Sequence, residues 1–227
     1  MELNNCVYCT RKTACFKFLS KRELEIFNSN RITVRYKKGE TIIKQGTVFN
    51  HVISFNAGLA KLNIEIDSKR NLLIGLIKPS EILAGPSMFA DNKYTFSVTA
   101  LIDSTICMID SDTFKKIFKS NDEFAESFLN SFSQRYIDTC KRFVSLTQKQ
   151  MHGRVAEALI FLSETIYDSD NFELYLSRQE LADFTGMSKE SICRVLKEFN
   201  NDNIVLSRGK MVSIQDKQVL IRINEAG

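Results

Sequence analysis

Ser177-Arg178-Gln179-Glu180-Leu181-Ala182-Asp183-Phe184-Thr185-Gly186-Met187-Ser188-Lys189-Glu190-Ser191-Ile192-Cys193-Arg194-Val195-Leu196 sets the reading of the whole chain. Ser177 followed by Glu180 is a capping box, in which a hydroxyl and a carboxylate satisfy free N–H groups where a helix opens. That helix is expected to run to Phe184 and give way to a turn at Gly186. Ser188 then caps a second helix, with Ile192, Val195, Leu196 and Phe199 at helical spacing. Two short capped helices joined through a glycine turn make a helix-turn-helix. Val205 to Ile214, turning at Arg208-Gly209-Lys210, reads as a β-hairpin wing beside it.

The second helix presents Lys189, Glu190, Ser191 and Arg194 away from its apolar residues. A carboxylate can accept from cytosine N4 and a guanidinium can grip guanine O6 and N7, so Glu190 and Arg194, a helical turn apart, can read adjacent base pairs. Arg178, Gln179, Ser188, Arg208 and Lys210 are placed to hold phosphates and set register. An ordinary solvated helix face would need neither the paired caps, the glycine turn nor the wing. Double-stranded DNA is the expected partner. Bulk charge is not the reason: the chain carries +4 overall, but residues 150–227 hold 9 Lys/Arg against 12 Asp/Glu.

Upstream of this unit the chain changes character. From Ile32 to about Asp110 it reads as short strands broken at Lys38-Gly39, Gln45-Gly46, Asn56-Ala57-Gly58, Asp67-Ser68, Lys78-Pro79-Ser80 and Ala90-Asp91-Asn92. Such spacing suggests an antiparallel sandwich or barrel. Ser20 with Glu23 is a capping box for a short helix through Phe27. Asp112 or Thr113 could cap a further helix and Asn121 a much longer one. Along the latter, Ala125, Leu129, Phe132, Tyr136, Thr139, Phe143 and Leu146 alternate spacings of four and three, the seam of a coiled coil. A neighbouring ridge of Phe124, Phe128, Ile137, Cys140 and Val144 would cover the strands. Leu129, Phe132, Tyr136, Phe143 and Leu146 are therefore expected to pair with a second copy, giving a homodimer. Residues 154–167 form another helix, with Val155, Leu159 and Leu162 on one face. The expected division is 1–120, 121–150 and 151–227.

The 227 residues, 44% of them hydrophobic, suffice for one large or two small domains with their own cores. No apolar run approaches the length needed to cross a bilayer, and the first residues lack the apolar core of a signal peptide. A cytoplasmic protein without membrane contact is expected, so its six cysteines should be free thiols, metal ligands or redox groups. Cys6-x2-Cys9-x5-Cys15 puts three thiols close enough in sequence to converge on one metal centre. Cys140 and Cys193, with apolar helical neighbours, read as packing thiols, and His51 and His152 are too isolated for a metal site. There is no nucleophile elbow, phosphate loop or HExxH pattern, so no enzyme is expected.

Taken together, these segments resemble the Crp/Fnr superfamily of bacterial transcription regulators, over essentially the whole chain. The resemblance implies an α+β fold: an N-terminal antiparallel β-barrel of the jelly-roll, cyclic-nucleotide-binding-like type, a long dimerisation helix and a C-terminal winged helix-turn-helix. It implies that Glu190 and Arg194 read a TGA-type core in each half of a palindromic operator, with Lys189 bearing on outer bases, and that RNA polymerase is a partner. Cyclic-AMP-binding members carry Gly-Glu where this chain has Ala84-Gly85, and Arg-Ser where it has Tyr94-Thr95. A buried phosphate without its arginine is an uncompensated charge, so cyclic AMP is not expected. The cysteine spacing is similar to that of the oxygen-sensing Fnr branch, and Cys107 falls at the position of its fourth ligand. The resemblance thus implies a [4Fe-4S] cluster on Cys6, Cys9, Cys15 and Cys107. Zinc on the same ligands, or buried unmetallated thiols with a small-molecule effector in the strand domain, are the alternatives, together with an iron–sulfur electron carrier that uses the wing for docking.

Overall fold

The computed structural model describes residues 5–67, 71–83, 88–89 and 93–227. Ala84-Gly85, Ser68 and the Ala90-Asp91-Asn92 turn lie outside the described residues. The chain divides into two compact units, residues 1–68 with 75–137 and residues 69–74 with 138–227.

The first unit opens with a short 3-10 turn, Ala14–Phe18, and helix α1, Lys21–Ser29, which has the expected capping box. Eight strands follow along the chain: β1 Arg31–Tyr36, β2 Thr41–Ile43, β3 His51–Ala57, β4 Ala60–Glu65, β5 Asn71–Ile77, of which residues 71–74 are grouped with the second unit, β6 Ile82–Leu83, β7 Ser97–Ala100 and β8 Ser104–Asp110. They make two four-stranded sheets, ordered β1-β8-β3-β6 and β2-β7-β4-β5. The pairings resolved are antiparallel, so among the described residues the strands form a two-sheet jelly roll and not one closed barrel. The turns impose glycine where backbone comes closest: a Cβ on Gly58, at φ +100°, would fall 2.2 Å from Ser104 Oγ.

Helix α2, Ser111–Ser120, is capped by Asp110, one turn edge earlier than Asp112 or Thr113. Helix α3, Asp122–Gln148, starts at Asn121, whose Oδ1 accepts from Phe124 N at 2.9 Å. Phe114 of α2 holds α1 and the start of α3 together, its ring 5.8 Å from Phe27, 5.3 Å from Phe124 and 5.4 Å from Phe128. Beyond Phe128 the helix loses its cover. Leu129, Phe132, Tyr136 and Phe143 are 50%, 40%, 67% and 69% exposed. Ile137, Cys140 and Val144, read as covering the strands, are exposed as well. Only Phe124 and Phe128 of that ridge are buried, so the open apolar stripe is two rows wide. Leu146 is half-buried, and it lies beside the turn at Gly186 of its own chain.

In the second unit, α4, Met151–Phe161, buries Val155 and Leu159 as expected. Its last stretch, Leu162–Tyr167, widens into a π-helix that ends on Asp168 in left-handed backbone. Helices α5, Arg178–Thr185, and α6, Lys189–Asn201, are the two capped helices, with Gly186 at φ +62° and ψ 39° between them. The wing, β10 Val205–Arg208 and β11 Met211–Ile214, gains a third strand, β9 Asn171–Glu173, and α7, Lys217–Ala226, closes the unit.

Candidate nucleic-acid interface

Helix α6 buries Ile192, Val195, Leu196 and Phe199 and exposes Lys189, Glu190, Cys193, Arg194 and Lys197. At about 100° per residue, Glu190, Arg194 and Lys197 fall on one line opposite the buried side. Lys189 and Ser191 lie on its flanks. Cys193 sits on the same open face, which corrects its reading as a packing thiol; Cys140 is exposed likewise. Both errors come from judging a helical residue by its immediate neighbours, which point elsewhere. Lys197 is legible from the same periodicity.

The head of α6 is tightly built. Ser188 Oγ accepts from Ser191 N at 3.1 Å and lies 3.2 Å from Ser191 Oγ. Backbone and Ser188 hydrogen bonds, with Lys189 nearby, hold the Glu190 carboxyl below its ordinary range, so it is ionised at neutral pH. Arg194 is exposed, with Nη2 3.6 Å from Met151 Sδ and no carboxylate paired with it among the described residues.

The residues read as phosphate anchors differ in their freedom. Arg178 is half-buried and fastens α5 to the wing, Nη2 donating to Ser207 Oγ at 2.7 Å and to Gly209 O at 3.0 Å. Gln179 Nε2 donates to Asp183 Oδ1 at 2.8 Å, and Lys210 Nζ lies 3.9 Å from Glu173 Oε1. Arg208, at the tip of the wing, and Ser188 are exposed. Sequence reasoning missed two further arginines. Arg142 of α3 and Arg154 of α4 both donate to carbonyls at the end of α5. Neither lies inside a motif, so only the folded chain reveals them.

In the first unit, Cys107 and Cys9 lie within electrostatic reach of Cys6. Cys107 stands mid-strand in β8, opposite Thr33 and Ser54, with its Sγ 3.4 Å from Arg31 Nη1 and 3.6 Å from Thr33 Oγ1. Burial pushes the Cys6 thiol up, Arg31 opposes this, and Cys107 and Cys9 are close enough to add to the rise. Cys9 Sγ accepts from Asn56 Nδ2 at 3.7 Å. Two buried atoms here, Arg31 Nε and Asn56 Oδ1, have no partner. Cys15 takes no part. It is buried in the 3-10 turn, 3.8 Å from Thr13 Oγ1, and burial pushes its pKa up to about 11. Among the described residues, no three His, Cys, Asp or Glu side chains are grouped as metal ligands. Cys6 and Cys107 share the Arg31 guanidinium, Cys9 lies near Cys6, and Cys15 is buried beside Thr13, so this arrangement does not bring four thiolates together as a cluster needs.

Tyr94, expected from the resemblance to stand where cyclic-AMP-binding members carry arginine, is buried. Its ring lies 4.9 Å from Phe49 and its hydroxyl donates to His51 O at 2.8 Å, while burial pushes its pKa up to about 12. A neutral, internally satisfied phenol offers no countercharge for a phosphate.

A two-sheet unit, a long helix and a winged helix-turn-helix with an open reading face define a DNA-binding transcription regulator. The cyclic nucleotide-binding domain model matches residues 33–121, and the Crp-like helix-turn-helix domain model matches residues 153–223. The chain belongs to the Crp/Fnr superfamily of transcription regulators. It is 26% identical over 184 residues to the transcriptional activator protein Anr of Pseudomonas aeruginosa, covering 79% of this chain and 75% of that one. It is 23% identical over 193 residues to the CRP-like cAMP-activated global transcriptional regulator of Mycobacterium tuberculosis, covering 83% and 86%. The structure of FixK2 from Bradyrhizobium japonicum superposes with a TM-score of 0.77 at 17% identity, over 86% of this chain and 97% of that one. No helix among the described residues is long and apolar enough to cross a membrane.

Proposed function

We propose that the protein binds a palindromic operator as a homodimer, pairing through α3 and reading a TGA-type core in each half-site through Glu190 and Arg194. The observation that carries this is the open face of α6, where an ionised carboxylate and a guanidinium free of carboxylates stand a turn apart, backed by a fully apolar underside. Lys189 and Ser191 flank the line and contact outer bases. Ser188 and Arg208 hold phosphates, joined by Lys210, by Gln179 once it leaves Asp183, and by Arg178 through the wing that it fixes. The two-row stripe from Leu129 to Val144 supports the dimer, because surface of that kind on a long helix is covered by a like helix. RNA polymerase is the expected further partner, by family resemblance. Arg194→Ala should cost about 1–3 kcal/mol per half-site and relax preference at one base pair. An unchanged base preference in a randomised-site selection would contradict the assignment.

We infer that the first unit reports a thiol-linked state and not a cyclic nucleotide. The meeting of Cys6 and Cys107 at Arg31, with Cys9 near Cys6, supports the thiol-linked state, and Tyr94 in the place of an arginine speaks against the nucleotide. A cluster on all four cysteines would require Cys15 to leave its place beside Thr13. Metal and acid-labile sulfide content after anaerobic purification decides this, followed by DNA binding before and after air exposure. Iron-free protein that gives heat with a metabolite in calorimetry would point to a small-molecule effector instead.

A further inference from the structure

The C-terminal end of α5 is the pivot of the helix-turn-helix, and a helix end leaves carbonyls that its own backbone cannot pair. Two arginines from outside the motif take them. Arg142 Nη2, on α3, donates to Phe184 O and also to Leu73 O at 2.9 Å, and its guanidinium carbon lies 3.6 Å from the centre of the Phe184 ring. Arg154 Nη1, on α4, donates to Thr185 O and to Gly186 O, each at 3.2 Å. Two cations thus meet three consecutive carbonyls at the negative end of the helix dipole.

The grip is built in depth. The Phe184 ring is stacked at 5.7 Å on Phe161 of α4, so Arg142 presses on a ring that is fixed from behind. Burial pulls the Arg142 pKa down to about 10 while Glu157 opposes the fall, and the group stays charged at neutral pH. Glu157 is itself held by Ser145 Oγ and by Lys149 Nζ at 3.2 Å. Leu146 of α3 adds a wall at the same turn, 3.1 Å from where a Cβ on Gly186 would stand. Only a planar guanidinium can stack on the ring and donate in its own plane; an ammonium cannot do both.

We propose that Arg142 is a positioning residue for DNA recognition: it fastens the turn of the helix-turn-helix to α3 and so fixes the angle at which α6 is presented by the helix that joins two protomers. This rests on the reading of α3 as the dimer helix. Its grip is on backbone and on a wedged ring, so a change in the attitude of α3 passes to α6 without being absorbed by side-chain rotation.

The test uses full-length protein and duplexes that the wild type selects from a randomised palindromic pool, rebuilt with spacers one or two base pairs shorter or longer. Half-sites follow the helical repeat of DNA, so the wild type should show one spacing optimum. Arg142→Met should lose about tenfold at that optimum and tolerate the other spacings more evenly, with the salt dependence and the sedimentation of the dimer unchanged. Arg142→Lys, which keeps charge but not the stack, should broaden the profile too, and Phe184→Leu should do so from the other side of the contact. A profile superimposable on the wild type's overturns the inference, whether or not affinity falls. If the methionine variant does not fold, the lysine variant gives the answer. A wild type that selects no palindrome overturns the dimer reading, and this inference with it.

Discussion

Replacing Gly186 by alanine tests how tightly the turn between α5 and α6 is built, and Gly209→Ala supplies the measure. Both glycines are left-handed, at φ +62° and +59°. An L residue there costs about 1–2 kcal/mol, offset by about 0.4–1 kcal/mol because alanine also restricts the unfolded chain. The surroundings differ. A Cβ on Gly209 meets nothing within 4 Å, whereas one on Gly186 would lie 3.1 Å from Leu146 Cδ2 and 3.5 Å from Arg154 Nη1. The second distance is ordinary contact. The first requires the Leu146 methyl to give way by a few tenths of an ångström, against a neighbour that α3 holds in place. Mild overpacking of this kind costs about 1 kcal/mol. Gly186→Ala should therefore destabilise the second unit by about 1 kcal/mol more than Gly209→Ala, about a fivefold difference in opening. Hydrogen exchange at the buried amides of α6 reads this directly, because their exposure requires that unit to unfold. Combining Gly186→Ala with Leu146→Ala should remove the excess while adding the cost of the lost leucine. Equal destabilisation by the two single alanines would refute the reasoning.

Other outcomes follow from the same geometry. Glu190→Gln adds a donor to an acceptor-only tip and should shift the base chosen at one position in randomised-site selection; an identical selected sequence would sink its reading role. Phe143→Glu puts a charge into the proposed seam twice per dimer and should cost about 3 kcal/mol or more, visible as monomer in sedimentation. Ser177→Ala removes the α5 capping box and should cost about 1 kcal/mol, read as faster exchange at the start of α5. Thiolates are the nucleophiles in alkylation, so raising a thiol pKa slows it at neutral pH. Exposed Cys193 should be modified by iodoacetamide well before Cys15, whose pKa is about 11, with mass spectrometry giving the order.

What the sequence disclosed was local chemistry. The boxes at Ser20 and Ser177, the cap at Ser188 and the wing turn at Gly209 each depend on residues within a few positions of one another, and each is present. What it withheld depends on contacts across the chain. The strand Asn171–Glu173 is too short to alternate and exists because β11 pairs with it. The α3 heptad shows two apolar rows, but periodicity cannot say which row the same chain covers, and Ile137 and Val144 were misplaced for that reason. For Cys15, spacing counts residues and not directions: the 3-10 turn buries this thiol beside Thr13. Arg142 carries no signature, since its partners are the Leu73 carbonyl, 69 positions away, and the carbonyl and ring of Phe184, 42 positions away.

The ionised tip of α6 has a consequence for how the protein travels along a chromosome. Glu190 offers only acceptors, and most base edges in the major groove present acceptors back to it. The segment around it, residues 150–227, is net negative, with 9 Lys/Arg against 12 Asp/Glu, so that segment gains little from the phosphate backbone in passing. Away from a matching site the head is pushed out of the groove as readily as it is drawn in. The expected outcome is a short dwell on non-matching duplex, read as fast dissociation beside a selected palindrome.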